Sequence, residues 1–444
     1  MPHLNPFLDR SVARPLCRSS GASSDAFHPP QGTTNLFVWQ PKQKNSAPIR
    51  PPGSGIPYDL HMDPIWTRLL AGELDPLLLA ARGVEPGRLS QLSQLRKYGS
   101  RDEVAAVLSL WDARRRATGR IDQAERLWVT AEAVQQATRS AVARHKADRI
   151  RQACGESPVI DLCCGIGSDS IALSQGGPVV MVDRDRLRLT LARANVRLTG
   201  GKGDAVTADA AALPLTPLPL HIDPDRRLDG RRRHSYPEML PGPDVLEVLM
   251  ERHPDLALKC GPGVDVSQLP AGEVEFIQES GDLVEATLWR GSFDGGQRRR
   301  ATLLPSGESI SGEEQRLDLF TDPEPAWIHE PVSAIERAGL VGHLLSRHSI
   351  GELHPGLGWL AGHQRIDSPW LKSYEVVERM PWREDKVRRW LRAQGEGISI
   401  VKTRGISENP AQLARKFRGS GGDLILALLR HGKKQVAWIL RSSR

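Results

Sequence analysis

The sequence of 444 residues has few cysteines, no long apolar run and no paired metal-ligand motif. Its five cysteines include no Cys-x-x-Cys spacing, and no cluster of Cys, His and Asp has the spacing of a metal site. We therefore expect neither a disulfide framework nor a bound metal. No segment approaches the roughly 18 apolar residues of a membrane-spanning helix, and the amino terminus lacks the apolar stretch of a signal peptide. These absences predict a protein of the reducing cytoplasm.

The amino-terminal segment lacks any apolar periodicity. Residues 1–59 contain ten of the 33 prolines of the chain. Such a segment cannot bury enough apolar surface to offset the entropy that is lost on ordering. We predict that it forms a disordered, proline-rich extension.

Positive charge is concentrated at the carboxy-terminal end of the chain. Residues 370–444 contain 17 Lys and Arg against 7 Asp and Glu. The whole chain has a formal net charge of +7, so the rest of it carries about −3. A basic domain of this kind is the electrostatic footprint of a nucleic-acid-binding module. A solubilising surface is the alternative reading.

One segment, Val159–Asp169, combines a short apolar run with a glycine turn and the start of an apolar-periodic stretch. The pattern predicts a strand, a tight turn and a helix. Gly165 and Gly167 would let a ligand approach the backbone, near the free amides of the helix amino terminus. The spacing Asp-x-x-x-Gly-x-Gly differs from the Gly-x-Gly-x-x-Gly of dinucleotide binders, whose third glycine is replaced here by Ser170. A dehydrogenase is therefore disfavoured.

Carboxylates follow four successive predicted strands. Asp161 ends the first strand, Asp183 the second and Asp209 the third, and Asp223 follows the fourth. Each aspartate alone could be a helix cap. In an open parallel sheet, however, ligands bind at the edge where the strands end. The ordered set therefore predicts a ligand pocket at that edge.

This ordered series resembles the class I S-adenosylmethionine-dependent methyltransferases. The phrases Val159–Leu173, Met181–Leu187 and Leu191–Asn195 are especially similar to the RNA cap guanine-N2 methyltransferases. Those enzymes also carry a Val-Thr-x-Glu phrase before the first strand, and residues 128–134 contain a similar one. The resemblance implies an α/β fold with a Rossmann-like class I methyltransferase sheet over residues 151–300, and S-adenosyl-L-methionine as the cofactor.

The same resemblance implies roles for individual residues. Asp183 would hold the ribose and Asp209 the adenine, while Thr130 would lie near the methionine carboxylate. The residues that would cradle the methionine part come from the first strand and its turn: Asp161, Cys163, Gly165 and Gly167.

The end of the fourth strand departs from the pattern of enzymes that methylate the exocyclic amines of bases. Those enzymes usually have Asn/Asp-Pro-Pro-aromatic there, with the ring stacked on the base. Here Asp223 and Pro224 match, but Asp225 and Arg226 stand in place of the second proline and the ring. This variant resembles a bacterial group that joins the methyltransferase domain to a small THUMP-like domain. We expect the catalytic segment to be Asp223, Pro224 and Asp225, with Asp223 orienting or deprotonating the nucleophile.

The length of the chain suggests two or three domains. Helical periodicity predicts a helical amino-terminal region over residues 60–150, in which one helix begins at Thr130 and runs to about Arg151. Residues 301–366 are predicted to form a connecting region. The alternating strand and helix patterns that follow predict a small, basic α+β domain over residues 367–444, which the resemblance implies to be THUMP-like.

The leading hypothesis is an RNA methyltransferase that grips RNA through its basic carboxy-terminal domain. One alternative is a methyltransferase for a protein or a small molecule, with incidental basic regions. Another is a non-catalytic RNA-binding protein that keeps the cofactor fold. Under the leading hypothesis, RNA contacts are predicted in the basic loop after the fourth strand and at strand ends of the last domain, at Arg226, Arg227, Arg231, Lys402 and Arg404.

Overall fold

A computed structural model of the protein describes residues 63–84, 89–213, 216–225, 227–228, 231–232, 235–419 and 423–442. The predicted proline-rich extension at 1–59 lies outside these residues. The described residues form a set of amino-terminal helices, a nine-stranded sheet and a seven-stranded sheet. None of the helices among them has the length and apolar character that crossing a membrane requires.

Helices occupy the amino-terminal region: α1 (Pro64–Leu70), α2 (Asp75–Ala80), α3 (Leu89–Leu95), α4 (Arg101–Ala117), α5 (Ala131–Gln136) and α6 (Ser140–Cys154). A capping box starts α4, because the Ser100 hydroxyl accepts from the Glu103 amide and the Glu103 carboxylate accepts from the Ser100 amide. The apolar stripe of α4 then packs with α5 in one buried cluster.

The single helix predicted from Thr130 to about Arg151 is wrong, since the structure divides it into α5 and α6. Thr130 does cap α5, with its hydroxyl accepting from the Ala133 amide at 3.2 Å. The helix then stops at Ala137, whose ψ of 136° is extended. Thr138, in the gap, donates a hydrogen bond to Asp169 at 2.6 Å and accepts one from Lys259 at 2.7 Å. These contacts hold the chain in an extended conformation at the break.

The first sheet comprises β1 (Val159–Leu162), β2 (Val179–Asp183), β3 (Gly203–Thr207), β4 (Leu220–Ile222), β7 (Leu256–Cys260), β8 (Glu273–Glu279), β9 (Asp282–Arg290), β10 (Arg299–Leu304) and β11 (Glu308–Gly312). Its order is β11-β10-β8-β9-β7-β4-β1-β2-β3. Strands β7, β4, β1, β2 and β3 are mutually parallel, so their carboxyl ends share one edge. The predicted α/β class and Rossmann-like sheet are confirmed.

Helices cover both faces of this sheet. Helices α6, α7 (Ser168–Leu173) and α8 (Arg186–Leu198) pack on one face, where Val159 and Met181 are buried. Helix α9 (Pro243–Arg252) packs on the other face, against Ile160 and Leu162. Strand β1 is therefore buried along its whole length, which explains why all its residues except Asp161 are apolar.

The segment predicted as a connecting region at 301–366 supplies strands to both sheets. Strand β10 pairs in parallel with β8, and β11 extends the first sheet beyond it. Strands β12 (Trp327–Pro331), β13 (Ile350–Glu352) and β14 (Leu360–Gly362) belong to the second sheet. The backbone groups along the outer side of β8 need hydrogen-bond partners, and β10 provides them.

The second sheet also contains β15 (Leu371–Pro381), β16 (Ile398–Arg404), β17 (Leu424–His431) and β18 (Lys434–Ser442), in the order β13-β14-β12-β15-β18-β17-β16. Alternate residues of β17 face opposite ways. Leu424, Leu426 and Leu428 join the cluster formed with α12 (Glu384–Gln394) and α13 (Pro410–Lys416). Ile425 and Leu429 join the cluster that includes residues of β12 and β14. Both helices therefore cover one face of this sheet.

Short elements complete the described chain. Helices α10 (Ser333–Arg337) and α11 (Gly342–Leu345) follow β12. Strands β5 (Arg227–Leu228) and β6 (Arg231–Arg232) form a separate antiparallel pair after β4.

Stability is expected to fall in mild acid, partly because of His329 in β12. The side chain is fully buried, Nδ1 lies 2.9 Å from Ser373 Oγ, and Nε2 has no hydrogen-bond partner within the described residues. Burial lowers the pKa of His329 to about 4, with a smaller contribution from His348. The unfolded chain binds this proton below about pH 6.5, but the folded chain does not until about pH 4. Each pH unit lost in that window should therefore cost up to about 1.4 kcal/mol.

Urea unfolding between pH 7.5 and 4.5 measures this effect. A His329→Gln variant cannot titrate at this position and should lose less stability than the parent between pH 6.5 and 4.5. Equal losses for both proteins would show that His329 does not contribute.

Candidate active site

A cavity of about 420 Å³ lies at the carboxyl edge of the first sheet. Its walls come from the turn after β1, the loops after β2, β3 and β4, and the break between α5 and α6. The volume falls in the range of small-molecule and cofactor sites. The edge predicted to bind a ligand therefore contains a preformed cavity.

The turn after β1 depends on glycine for two different reasons. Gly165 and Gly167 have φ values of +55° and +83°, in the left-handed region. A Cβ on Gly167 would stand 3.0 Å from both Cα and Cβ of Ala192 in α8. A Cβ on Gly165 would meet nothing within 4 Å, and Gly165 lines the cavity. Gly167 thus permits helix packing, whereas Gly165 permits the turn and leaves space for a ligand.

Cys163 also lines the cavity, with the unusual φ of +60°. Burial raises the pKa of its thiol well above the ordinary value, and the nearby carboxylates of Asp183 and Asp223 raise it further. The thiol therefore stays protonated and serves as a small packing group rather than a nucleophile.

Asp183 is a buried carboxylate in the cavity wall at the end of β2. Its Oδ2 accepts from the Gly165 amide at 2.9 Å, and its Oδ1 accepts from the Asp185 amide at 2.8 Å. Burial raises the pKa of Asp183, although these two amides oppose the shift. Each oxygen retains a lone pair for a further donor, so the oriented carboxylate can accept two more hydrogen bonds.

Asp209 is more exposed than Asp183 but also lines the cavity. Its Oδ1 accepts from the Ala211 amide at 2.9 Å, which caps a single 3₁₀ turn. The cap holds Asp209 at the cavity wall beyond β3.

Three of the predicted cofactor residues do not line the cavity: Thr130, Asp161 and Gly167. Asp161 is fully buried below the turn. Its Oδ1 lies 2.7 Å from His221 Nδ1 in β4, and its Oδ2 accepts from Ser170 at the start of α7. Asp161 therefore lies outside the cavity wall, although the sequence analysis expected it to contact the ligand. Asp161 instead fixes the first turn of α7 against β4.

The segment after β4, in which the catalytic residues are predicted, forms one side of the cavity. Asp223, Pro224 and Asp225 all line it. Asp225 and Leu240, which both line the cavity, exchange two backbone hydrogen bonds, of 2.8 and 3.0 Å. Arg226 lies outside the described residues. For Arg227 and Arg231 only the backbone is described, in the β5–β6 pair.

Behind Asp223 lies a buried network of charged side chains, which the sequence analysis missed. Lys259 of β7 donates to Asp223 Oδ2 at 2.6 Å and to Thr138 at 2.7 Å. Lys146 of α6 lies 2.9 Å from Asp169 Oδ1 and 2.8 Å from Glu285 Oε1. The available signal was a lysine within the otherwise apolar sequence of β7.

Lys146 is only 1% exposed, yet it remains charged. Burial opposes the charge, but the carboxylates of Asp169 and Glu285 hold the pKa of Lys146 above its usual value. Burial likewise disfavours the Asp169 anion, and Lys146 in turn holds the pKa of Asp169 well below its usual range. The network therefore consists of ions that stabilise one another.

The cavity wall has an excess of negative charge. Two arginines, Arg184 and Arg188, line it together with six aspartates: Asp169, Asp183, Asp185, Asp209, Asp223 and Asp225. Such a wall favours a cationic ligand over an anionic one. A dinucleotide, with its pyrophosphate, is a poor match for it.

The two predicted substrate contacts in the last domain do not reach this cavity. Lys402 lies 2.7 Å from Glu330 of β12, and Arg404 lies 2.7 Å from Glu336 of α10. Both side chains are therefore engaged in joining β16 to neighbouring parts of the chain. Their expected contact with RNA stays a prediction, and such a contact would compete with these ion pairs.

Comparisons with known proteins agree with this architecture. The family model of the THUMP domain-like type matches residues 371–442. Two curated relatives, from Mycobacterium tuberculosis strains CDC 1551 / Oshkosh and ATCC 25618 / H37Rv, are called uncharacterized S-adenosylmethionine-dependent methyltransferases. Each is 34% identical over 350 residues, covering 74% of this chain and 95% of the relative.

A solved structure of a putative methyltransferase from Porphyromonas gingivalis W83 has the same fold. It matches with a TM-score of 0.68 at 18% sequence identity. The match covers 83% of this chain and 99% of that chain. Both sheets therefore have counterparts in a known fold.

Proposed function

We propose that this chain, which belongs to the family of S-adenosylmethionine-dependent methyltransferases and uses S-adenosyl-L-methionine as its cofactor, transfers the methyl group to RNA. The observation that carries the proposal is a basic surface on the two helices of the THUMP-like domain. The cavity proposed for the cofactor is acidic and favours a cation. A basic surface favours an anion, so it would bind a different partner.

The basic surface is formed by α12, α13 and their immediate flanks. Residues 383–394 and 410–418 contain eight Lys and Arg but only two acidic residues. Lys416 of α13 lies 2.9 Å from Glu384 of α12, and Arg388 stacks on Phe417, so the two helices are adjacent. Several exposed arginines of this surface have no ion pair among the described residues: Arg383, Arg392, Arg415 and Arg418.

Unpaired, exposed arginines can contact phosphates without first breaking an internal ion pair. Arginine also presents a planar fork of donors that matches phosphate geometry. The surface therefore suits a polyanionic backbone better than Lys402 and Arg404 do.

The proposed cofactor contacts follow the cavity wall. Asp183 would accept from the two ribose hydroxyls, and Asp209 would lie at the adenine end. The turn that includes Cys163 and Gly165 would enclose the methionine part, while Thr130, Asp161 and Gly167 would support the cavity from outside. The excess of aspartates matches the positive sulfonium and amino groups. S-adenosyl-L-methionine supplies an activated methyl group, and the chain holds the acceptor in line with it.

An assay of methyl transfer tests whether RNA is the acceptor. Total RNA from a strain that lacks this gene is incubated with the protein and cofactor labelled with tritium in the methyl group, and nucleosides are then analysed. Label in a modified nucleoside supports the proposal. Label found only in protein or in small molecules would contradict it and favour the first alternative, and RNA binding without any transfer would favour the non-catalytic one.

The basic surface can be tested by removing three charges. Arg392→Gln, Arg415→Gln and Arg418→Gln together should weaken RNA binding at least about tenfold near 100 mM salt. The slope of log K against log salt should fall by about 2, since each phosphate contact on a single strand contributes roughly 0.7. Fluorescence anisotropy over a salt series measures both quantities.

A matched variant removes three exposed arginines from the amino-terminal region, Arg96, Arg101 and Arg120. It therefore has the same net charge as the triple variant of the basic surface. Its affinity and slope should stay near those of the parent. Equal losses in both triple variants would mean that net charge, rather than this surface, binds RNA.

A further inference from the structure

We propose that Lys259 is a positioning residue for methyl transfer, which acts by holding Asp223 so that its other oxygen accepts a hydrogen bond from an N–H or O–H methyl acceptor. The inference rests on the proposed function and extends it, because it names the chemical class of the acceptor atom. Neither the turn after β1 nor the proposed cofactor contacts involve Lys259, so they do not explain why β7 contains a lysine.

The geometry of Asp223 supports this role. Its Oδ2 accepts from Lys259 Nζ at 2.6 Å, whereas its Oδ1 has no hydrogen-bond partner among the described residues. The side chain is 26% exposed and lines the cavity, while that of Lys259 is only 4% exposed. Lys259 therefore contacts Asp223 from behind, and the remaining oxygen is available on the cavity side.

Lys259 itself is held at three points. Its Nζ donates to Thr138 at 2.7 Å and lies 3.8 Å from Glu285 Oε2, in addition to contacting Asp223. Thr138 is fixed in turn by its hydrogen bond to Asp169. A buried ammonium that is held by Thr138 and Glu285 cannot follow a moving carboxylate, so it defines the orientation of Asp223.

The chemistry follows from the charge of the pair. An anionic oxygen that faces the cavity attracts a neutral N–H or O–H and repels an anionic acceptor such as a carboxylate or a thiolate. During transfer, the lone pair of the acceptor nitrogen or oxygen forms the new bond to the methyl carbon. The bond from carbon to the sulfonium sulfur breaks, and its electron pair remains on the sulfur. The proton that the acceptor loses passes to Asp223 Oδ1 and then to water.

The test compares Lys259→Met, Asp223→Asn and the double variant with the parent, using label transfer to RNA, steady-state kinetics, and calorimetry of cofactor binding. Lys259→Met should lower kcat about 10- to 100-fold with cofactor affinity within about threefold. The KM for RNA should also stay within about threefold, because a positioning residue affects the transfer step and not the binding of either substrate. Asp223→Asn should lower kcat by at least about 100-fold.

The double variant decides whether Lys259 acts through Asp223. If it does, kcat of the double variant equals that of Asp223→Asn, whereas independent losses would multiply and overturn the inference. The double variant also removes both charges of the pair, so it remains informative if Lys259→Met alone fails to fold.

Two controls separate the possible failures. Thr287→Val disturbs the same buried network through its 3.1 Å hydrogen bond to Glu285, but it should leave kcat within about threefold of the parent value. If the parent transfers no methyl group to RNA, the proposed function fails. If the parent transfers it and Lys259→Met retains the parent kcat, only the positioning role fails.

Discussion

Asp183→Ala is expected to weaken binding of S-adenosyl-L-methionine at least about 100-fold. The proposed contact consists of two hydrogen bonds from ribose hydroxyls to a carboxylate, and each such bond contributes about 1.5–3 kcal/mol. A loss of about 3 kcal/mol corresponds to roughly a 100-fold change in Kd. The two backbone amides that orient Asp183 would also lose their acceptor. Calorimetric titration of the purified variant with the cofactor measures the change.

Asp185→Ala is the matched control for that experiment. It removes one negative charge from the same cavity wall, and Asp185 is exposed, where it caps α8 by accepting from the Arg188 amide at 3.0 Å. Its cofactor affinity should fall less than tenfold, and RNA affinity should stay near that of the parent in both variants. Equal losses in the two variants would mean that the wall acts only through its charge. Loss of both cofactor and RNA binding in Asp183→Ala would indicate misfolding.

Lys146→Met is expected to lower the free energy of unfolding by about 3–5 kcal/mol. The substitution leaves the buried carboxylates of Asp169 and Glu285 without the cation that lies within 3 Å of both. Removing one partner of a buried ion pair typically costs this much, because the remaining charge stays buried without compensation. Urea unfolding at pH 7.5 provides the measurement.

Lys202→Met, at an exposed site, should change that free energy by less than about 0.5 kcal/mol. Adding Glu285→Gln to Lys146→Met should recover part of the loss, since it removes one of the two uncompensated anions. A loss below about 1 kcal/mol in the single variant would contradict the view that the network consists of mutually stabilised ions.

Several features of the site could be predicted from the sequence because they are local. The positive φ of Gly165 and Gly167 belongs to the strand–turn–helix pattern within Val159–Asp169. The positions of Asp183 and Asp209 could also be predicted, because both lie at or just after the ends of strands that are recognisable from their own apolar runs. Their meeting at one cavity needed only the parallel order of the sheet.

Other features could not be predicted, because the deciding partner is distant in the sequence. The helix expected from Thr130 breaks where Thr138 bonds to Lys259, 121 residues later. Lys402 is paired with Glu330, which lies 72 residues earlier on another strand of the same sheet. Neither partner could be identified from local periodicity, which reports the face on which a residue lies and not the side chain that meets it.

The sequence by itself determined the class of fold, the order of the acidic residues at the strand ends and the basic character of the last domain. All three depend on the composition and backbone conformation of short stretches. The steric and polar preferences of the residues in each stretch decide these features without any distant partner. Only the tertiary structure decided that Asp161 turns away from the cavity, that Lys259 stands behind Asp223, and which arginines remain exposed and unpaired. The first two outcomes depend on charges that lose their water in the interior, where each must be satisfied by whichever polar or charged partner the packing brings near. The third depends on which acidic side chains the packing brings within reach of each arginine.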